Sequence, residues 1–364
     1  MIPVAEPDLG KEELEKVTDC IQSGWISSIG SYVNQFEEGF SRFCDTPFGV
    51  SCSNGTVALH LSLLALGVGP GDEVICPTLT FVATANAIRY VGANPVFVDS
   101  ELITWNMDPE KIKSKLSSRT KAIIVVHLYG HPARMTPILD LAKSKGIPII
   151  EDAAEAHGAF YEGKRVGSLS VLGCFSFYGN KVITTGEGGM VVTRDARLDQ
   201  HMRLLRDHAM DSKRRYWHSE MGYNYRLTNL QAAVGVAQLE KIEKFLQVRK
   251  ENARIYRELL QNIRGITLFP QEKWAQPVYW MISILVEREF GMSRDELIQA
   301  LKERGVDTRP FFVPMHELPL YRAKESFPIA EDLSRKGLNL PSSTRLTRED
   351  IEYVVQTIQE IQIL

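Results

Sequence analysis

Apolar and polar positions change period several times along the chain, and those changes mark out the elements. Short β-rich runs alternate with helical patterns: Glu73-Val-Ile-Cys76, Pro95-Val-Phe-Val98, Ala122-Ile-Ile-Val-Val126, Pro148-Ile-Ile150, Cys174-Phe-Ser-Phe177 and Gly189-Met-Val-Val192. Most of these runs are apolar almost throughout rather than at every second residue, as in strands covered on both faces of a largely parallel sheet. Ser53-Asn-Gly-Thr56 opens with small polar residues and continues as a helical stretch to Leu66. From Thr228, a plausible N-cap, helical spacing through Leu230, Val234, Leu239, Ile242 and Leu246 predicts one helix to about Leu260, long enough to bridge two domains. Val278 to Val286 then reads as a strand and Ser293-Arg-Asp-Glu296 as a capping box on a helix closed by Gly305. Ile351, Val354, Val355 and Ile358 form the inner face of a last helix. The expected division is a large domain over residues 1–240 and a small C-terminal α/β domain over 241–364.

Charge changes this picture little: 42 basic against 45 acidic side chains give a net charge of −3, and nothing global argues for nucleic acid or membrane. The N-terminal Met1-Ile-Pro-Val-Ala-Glu-Pro-Asp8 has neither a basic nor an apolar leader region, so a cytoplasmic location is expected. Cys20, Cys44, Cys52, Cys76 and Cys174 lie mostly beside apolar residues, without C-x-x-C spacing, and read as reduced core thiols. His127 and His131 have the i, i+4 spacing of a helical metal pair, but Gly130 and Pro132 make the segment a strand-to-loop turn, and no metal is expected. Gly67-Val-Gly-Pro-Gly71 follows a helix and precedes a strand, the reverse of a dinucleotide fingerprint, so it reads as a helix stop and turn.

The chemistry concentrates elsewhere. Lys181 stands among small and polar residues in Tyr178-Gly-Asn-Lys-Val-Ile-Thr-Thr-Gly-Glu-Gly-Gly189, a setting that suits a Schiff-base lysine holding pyridoxal 5′-phosphate. Upstream, Ile149-Ile-Glu-Asp-Ala-Ala-Glu155 is an apolar strand ending in a carboxylate pair, and Asp152 there suits the buried acid that keeps the cofactor's ring nitrogen protonated. The helix start at Gly55 supplies free N–H groups and a positive dipole end for the phosphate. Each signal alone has a plain structural reading: a helix cap, a solvated strand end, a surface lysine. Their occurrence in this order on alternating strands and helices favours the cofactor.

These residues carry a family resemblance over essentially the whole length. Gly24-Trp-Ile-Ser-Ser28 with Phe36-Glu37, Ser53 to Thr56, Pro77-Thr-Leu-Thr-Phe81, His127-Leu-Tyr-Gly130, Glu151 to Ala156, Ser176 to Gly189 and Gly222-Tyr-Asn-Tyr-Arg226 resemble the DegT/DnrJ/EryC1/StrS sugar aminotransferases. The resemblance implies the fold type I architecture of aspartate aminotransferase, with a mostly parallel seven-stranded sheet in the large domain. It also implies catalysis by Lys181 and Asp152, a phosphate held by Gly55, Thr56 and Ser176, and ring contacts from Phe81 and Glu155. Asn224 matches a family residue that reaches the neighbouring subunit's phosphate, hence a homodimer with shared sites. Within the family, Trp25 to Ser28, Tyr216-Trp-His218, Thr308-Arg-Pro310 and Pro328 to Asp332 resemble members that aminate a GDP-linked sugar. The implied reaction moves nitrogen from L-glutamate to C4 of GDP-4-keto-6-deoxy-D-mannose, for surface polysaccharide such as O-antigen.

Substrate contacts are expected from Trp25, Ser27, Arg215, Trp217, His218, Arg309 and His316, with the arginines on the diphosphate; the run Lys213-Arg-Arg215 equally fits a solvated loop. A dTDP- or UDP-linked keto sugar and a noncatalytic cofactor-binding regulator stay open. Relatives with histidine in place of the lysine act as dehydratases, which Lys181 argues against.

Overall fold

The computed structural model describes residues 1–322 and 324–363. Two N-terminal helices, α1 (Lys11–Ser23) and α2 (Ser31–Phe43), precede β1 (Phe48–Cys52) and α3 (Gly55–Ala65). Then come β2 (Glu73–Pro77), α4 (Ala83–Tyr90), β3 (Asn94–Val98), the short α5 (Pro109–Ile112), β4 (Thr120–Val126), α6 (Met135–Lys145) and β5 (Ile149–Asp152). A small ribbon, β6 (Phe160–Tyr161) and β7 (Lys164–Arg165), leads to β8 (Leu172–Ser176), β9 (Gly189–Thr193) and α7 (Ala196–Arg206). These strands build a seven-stranded sheet in the order β1-β9-β8-β5-β4-β2-β3. Only β9 runs against its neighbours, so the other six share one direction.

The apolar run of β4 explains itself in this setting. Ala122 and Ile124 pack into one core cluster while Ile123 and Val125 pack into another on the opposite face. Both faces are covered, so no polar alternation survives. The common strand direction also gathers the ends of β1, β8, β5 and β4 at one edge, where ligands of α/β sheets collect.

Capping fixes the next helix: Thr228 accepts from Gln231 N–H, and the Gln231 side chain returns the bond. The predicted single helix is two, α8 (Asn229–Glu240) and α9 (Ile242–Leu260). At Lys241 the backbone reaches φ −103°, ψ −4°, and its N–H bonds the Gln238 carbonyl at 3.1 Å, a tighter turn that apolar spacing does not register. Next are β10 (Ile266–Leu268), β11 (Ala275–Gln276), which joins the β6–β7 ribbon, and β12 (Ile282–Val286). The expected strand from Val278 starts late because Tyr279 holds φ +50° and the Val278 N–H bonds the Gly130 carbonyl on the large sheet's loops. After it come α10 (Arg294–Glu303), β13 (Arg309–Pro310), α11 (Pro328–Lys336), β14 (Gly337–Leu340) and α12 (Arg348–Ile363). A second, antiparallel sheet runs β10-β12-β14-β13. Residues 2–5 return to it: Ile2 bridges Val306, and Ser342 N–H bonds the Val4 carbonyl at 2.9 Å.

All five cysteines are free and buried. No helix among the described residues is long and apolar enough to cross a membrane.

Candidate active site

A cavity of about 630 Å³ opens at the carboxyl edge of the large sheet. Its floor and walls hold Gly55, Thr56, Phe81, Asp152, Glu155, Ser176 and Lys181 together, from four separate stretches of chain.

The α3 N-terminus forms one end. Asn54 caps it by accepting from Val57 N–H at 2.9 Å, which leaves the N–H groups of Gly55 and Thr56 before any intrahelical partner. Gly55 has to be glycine here, because a Cβ would stand 2.7 Å from the Ser176 Cβ. That close approach sets the Ser176 hydroxyl beside the free N–H groups, a donor cluster suited to a phosphate dianion.

The carboxylates lie deeper. Asp152 ends β5 and accepts the Thr84 hydroxyl on Oδ2 at 2.7 Å and the Ala154 N–H on Oδ1 at 3.3 Å. Thr84 also lies 3.1 Å from the Thr80 hydroxyl. Burial pushes the Asp152 carboxyl above its ordinary value, against the lowering effect of Thr84, Ala154 and the Lys181 charge. Glu155 accepts from Tyr129 N–H at 2.7 Å, and burial pushes it up to about 7 against the Lys181 charge. The same burial pushes the Lys181 amine below its ordinary value, with Glu155 and Asp152 opposing. An amine easily made neutral beside two carboxyls is what an imine-forming, proton-moving lysine requires. Its Nζ stands 3.8 Å from the centre of the Trp280 ring.

Tyr129, whose N–H holds Glu155, is a strained residue behind this wall: it is buried with φ +53°, and its hydroxyl accepts the Phe312 N–H at 3.0 Å. A bulky residue in the left-handed region persists only where its surroundings dictate it, and such positions cluster at functional sites.

A second cavity of about 740 Å³ adjoins the first and shares Tyr178, Asn180, Trp280 and Phe312 with it. Arg309 lines it, its guanidinium held by Asp307 at 2.5 Å. The remaining expected residues lie outside both cavities. Trp25 is exposed and its carbonyl accepts Asn229 Nδ2, while the Ser27 carbonyl accepts Asn229 N–H. Arg215, Trp217 and His218 sit on an exposed loop where Arg214 stacks on Trp217 at 4.1 Å and His218 Nδ1 meets the His208 carbonyl. Asn224 is exposed and accepts from Arg226 Nη2 at 2.9 Å, away from the cavity of its own chain. His316 requires correction as a substrate contact. It is buried, with Nδ1 at 2.7 Å from the Thr78 hydroxyl and Nε2 at 3.2 Å from Glu331, so both ring nitrogens tie the chain to itself.

Sequence reading missed Thr80, Thr84, Tyr129 and Trp280. The i, i+4 threonine pair after Pro77 was the one available signal for the first two; Trp280 arrives from the bend before β12, 99 positions from the lysine, with no local mark.

An α3 N-terminus packed on a serine, a buried strand-end aspartate and a half-buried lysine define a pyridoxal phosphate-dependent transferase of fold type I. The chain belongs to the DegT/DnrJ/EryC1/StrS aminotransferase family, whose sequence model matches residues 7–359. It is 46% identical over 360 residues to the GDP-perosamine synthase of Escherichia coli O157:H7, covering 99% of this chain and 98% of that one. The GDP-perosamine synthase of Caulobacter vibrioides is 44% identical over 365 residues, covering 100% and 98%. Among solved structures, a putative sugar aminotransferase from Streptococcus pneumoniae in its PLP form superposes with a TM-score of 0.94 at 28% identity, covering 100% of this chain and 98% of that one.

Proposed function

We propose that this aminotransferase moves nitrogen from L-glutamate to C4 of GDP-4-keto-6-deoxy-D-mannose, giving GDP-perosamine for surface polysaccharide such as O-antigen. The observation that carries the substrate choice is full-length identity of 42–46% to three GDP-perosamine synthases. The cavity supports the chemistry. Bound pyridoxal phosphate supplies the electron sink that makes the donor's Cα proton labile. With the cofactor held there, Lys181 would be the group that takes the donor's Cα proton and carries it along the cavity wall, a role that an amine pushed below its ordinary value suits. Asp152 keeps the ring nitrogen protonated, with Thr84 holding the carboxylate in place. Gly55, Thr56 and Ser176 would bind the phosphate, Glu155 would serve the ring hydroxyl and Phe81 would cover the ring. Arg309, Arg215, Trp25, Ser27, Trp217 and His218 are proposed for the nucleotide-sugar.

The same reading gives a cytoplasmic homodimer, divided in each protomer into a large domain over 1–240 and a small one over 241–364. Exposed Tyr216 and Met221 provide apolar surface near Asn224 in sequence, which suits an interface that carries Asn224 into the partner's site. Glutamate alone separates the enzyme from a noncatalytic binder: it should convert the visible absorbance of the bound cofactor stoichiometrically and release 2-oxoglutarate. An unchanged spectrum with no 2-oxoglutarate would end the proposal.

A further inference from the structure

Arg249 on α9 is buried and pairs with no carboxylate among the described residues; its Nη1 instead donates to the carbonyls of Ser342 at 2.8 Å, Trp280 at 3.1 Å and Tyr279 at 3.5 Å. Burial alone pushes this guanidinium down to about 10. A cation without a counter-charge is costly to bury, so what it holds matters. It holds the segment that carries Trp280. Tyr279 is forced to φ +50°, and Gly130, at φ +94°, has no room for a Cβ because the Trp280 N would stand 2.9 Å from it. The Tyr129 ring stacks on the indole at 6.3 Å and 22°, and Trp280 Nε1 donates to the Asn180 carbonyl at 2.8 Å. The Trp280 backbone is thus fixed by Arg249 and Gly130 and its indole by Tyr129 and Asn180, and the ring face covers Lys181 Nζ at 3.8 Å.

We propose that Arg249, acting through Trp280, is a positioning residue for Lys181: the guanidinium fixes the indole, and the indole covers the amine and keeps it at the cavity wall whenever it is not attached to the cofactor. The idea rests on Lys181 being the reactive lysine but not on the identity of the sugar. A cation over an indole face is attracted to it, and the ring also shields the amine from water. Asn180 supplies the second constraint, because the bond to its carbonyl ties the indole to the residue next to Lys181. The other titratable groups around the amine are Asp152, Glu155 and His157, with Glu187, Tyr90 and Tyr178 on the cavity wall.

The test is competitive acetylation of the full-length cofactor-free chain with acetic anhydride across pH, reading Lys181 by peptide mass spectrometry. This gives its limiting rate and apparent pKa with no sugar-nucleotide and no turnover. Trp280→Leu removes the cover, so the apparent pKa of the Lys181 amine should fall by about half a unit, as loss of a cation–ring contact implies, and the limiting rate of the neutral amine should rise because the ring no longer shields it. Trp280→Phe keeps a ring and should stay near wild type. Arg249→Met should raise the rate as Trp280→Leu does, and should add nothing in the Trp280→Leu background. Arg249→Gln replaces it if the methionine variant does not fold. An unchanged Lys181 rate in Trp280→Leu, or an Arg249 effect of full size without the indole, would overturn the proposal. Failure to aminate a GDP-sugar would leave all of these readings intact and would count against the substrate assignment alone.

Discussion

Asp152→Asn separates what the site needs for catalysis from what the fold prefers. The asparagine keeps the size of the side chain and an acceptor for the Thr84 hydroxyl at 2.7 Å, and removes a buried negative charge. In the cofactor-free chain that charge is disfavoured by burial, so the folded carboxyl titrates above its ordinary value of 3.8. A raised folded value means that the native state holds its proton longer than the unfolded chain does, and wild-type stability falls as pH rises from 3.8 through the folded value. The variant escapes this loss. Below pH 3.8 the two proteins should be equally stable; at neutral pH the cofactor-free variant should be the more stable, by what burial costs the carboxylate less what is lost in attraction to Lys181. With cofactor bound the order reverses, because an amide replaces a carboxylate opposite a protonated ring nitrogen. A charge-assisted hydrogen bond exceeds a neutral one by about 1–2 kcal/mol, so the glutamate half-reaction should slow by about 5- to 30-fold. Thermal unfolding across pH and single-turnover kinetics with α-deuterated glutamate measure the two effects. Retained cofactor with an unchanged half-reaction rate would refute the assignment of Asp152 to the ring nitrogen, and no stabilisation of the cofactor-free variant would refute the claim that its buried charge is poorly compensated.

Further outcomes follow from the same geometry. Lys181→Ala should lose the visible absorbance of covalently held cofactor and turnover together; transamination at the wild-type rate would remove it from the mechanism. Lys181→Ala mixed with inactive Asn224→Trp under subunit exchange should regain activity at about one of the two sites of each heterodimer, the one that receives both intact residues. No activity despite demonstrated heterodimers would confine Asn224 to its own subunit. Glu37→Gln should destabilise the fold by about 2–4 kcal/mol, as removal of one partner from a buried ion pair does when the other side is partly exposed. Burial opposes its ionisation, but Arg206 at 2.5 Å and Arg203 at 2.6 Å outweigh that and hold the carboxyl below its ordinary value, so wild-type stability is lost only as pH falls through that lowered value. A chemical denaturation midpoint unaffected by the change would contradict this reading.

The strands were legible because each two-sided apolar run is short and bounded by turn residues, and the cofactor-binding stretches were legible because each is local: a helix start, a strand end, a lysine loop. β1 was not marked, since Phe48-Gly-Val-Ser-Cys52 mixes glycine and serine into its apolar run. The break at Lys241 left no trace either, because a single tight turn hardly disturbs helical spacing. What stayed invisible depends on contacts between distant segments. Trp280 reaches Lys181 only because Arg249 and Gly130 place it there, and His316 looks like a polar ligand until Thr78 and Glu331 occupy its ring.

Nitrogen transfer to a defined sugar tests the central claim most directly. The holoenzyme, supplied with ¹⁵N-labelled L-glutamate and, in separate reactions, GDP-, dTDP- and UDP-linked 4-keto-6-deoxy sugars, should place the label at C4 of the GDP-sugar and yield GDP-perosamine, identified by mass and by NMR. Label appearing preferentially in the dTDP- or UDP-linked sugar, or in none of them, would contradict it.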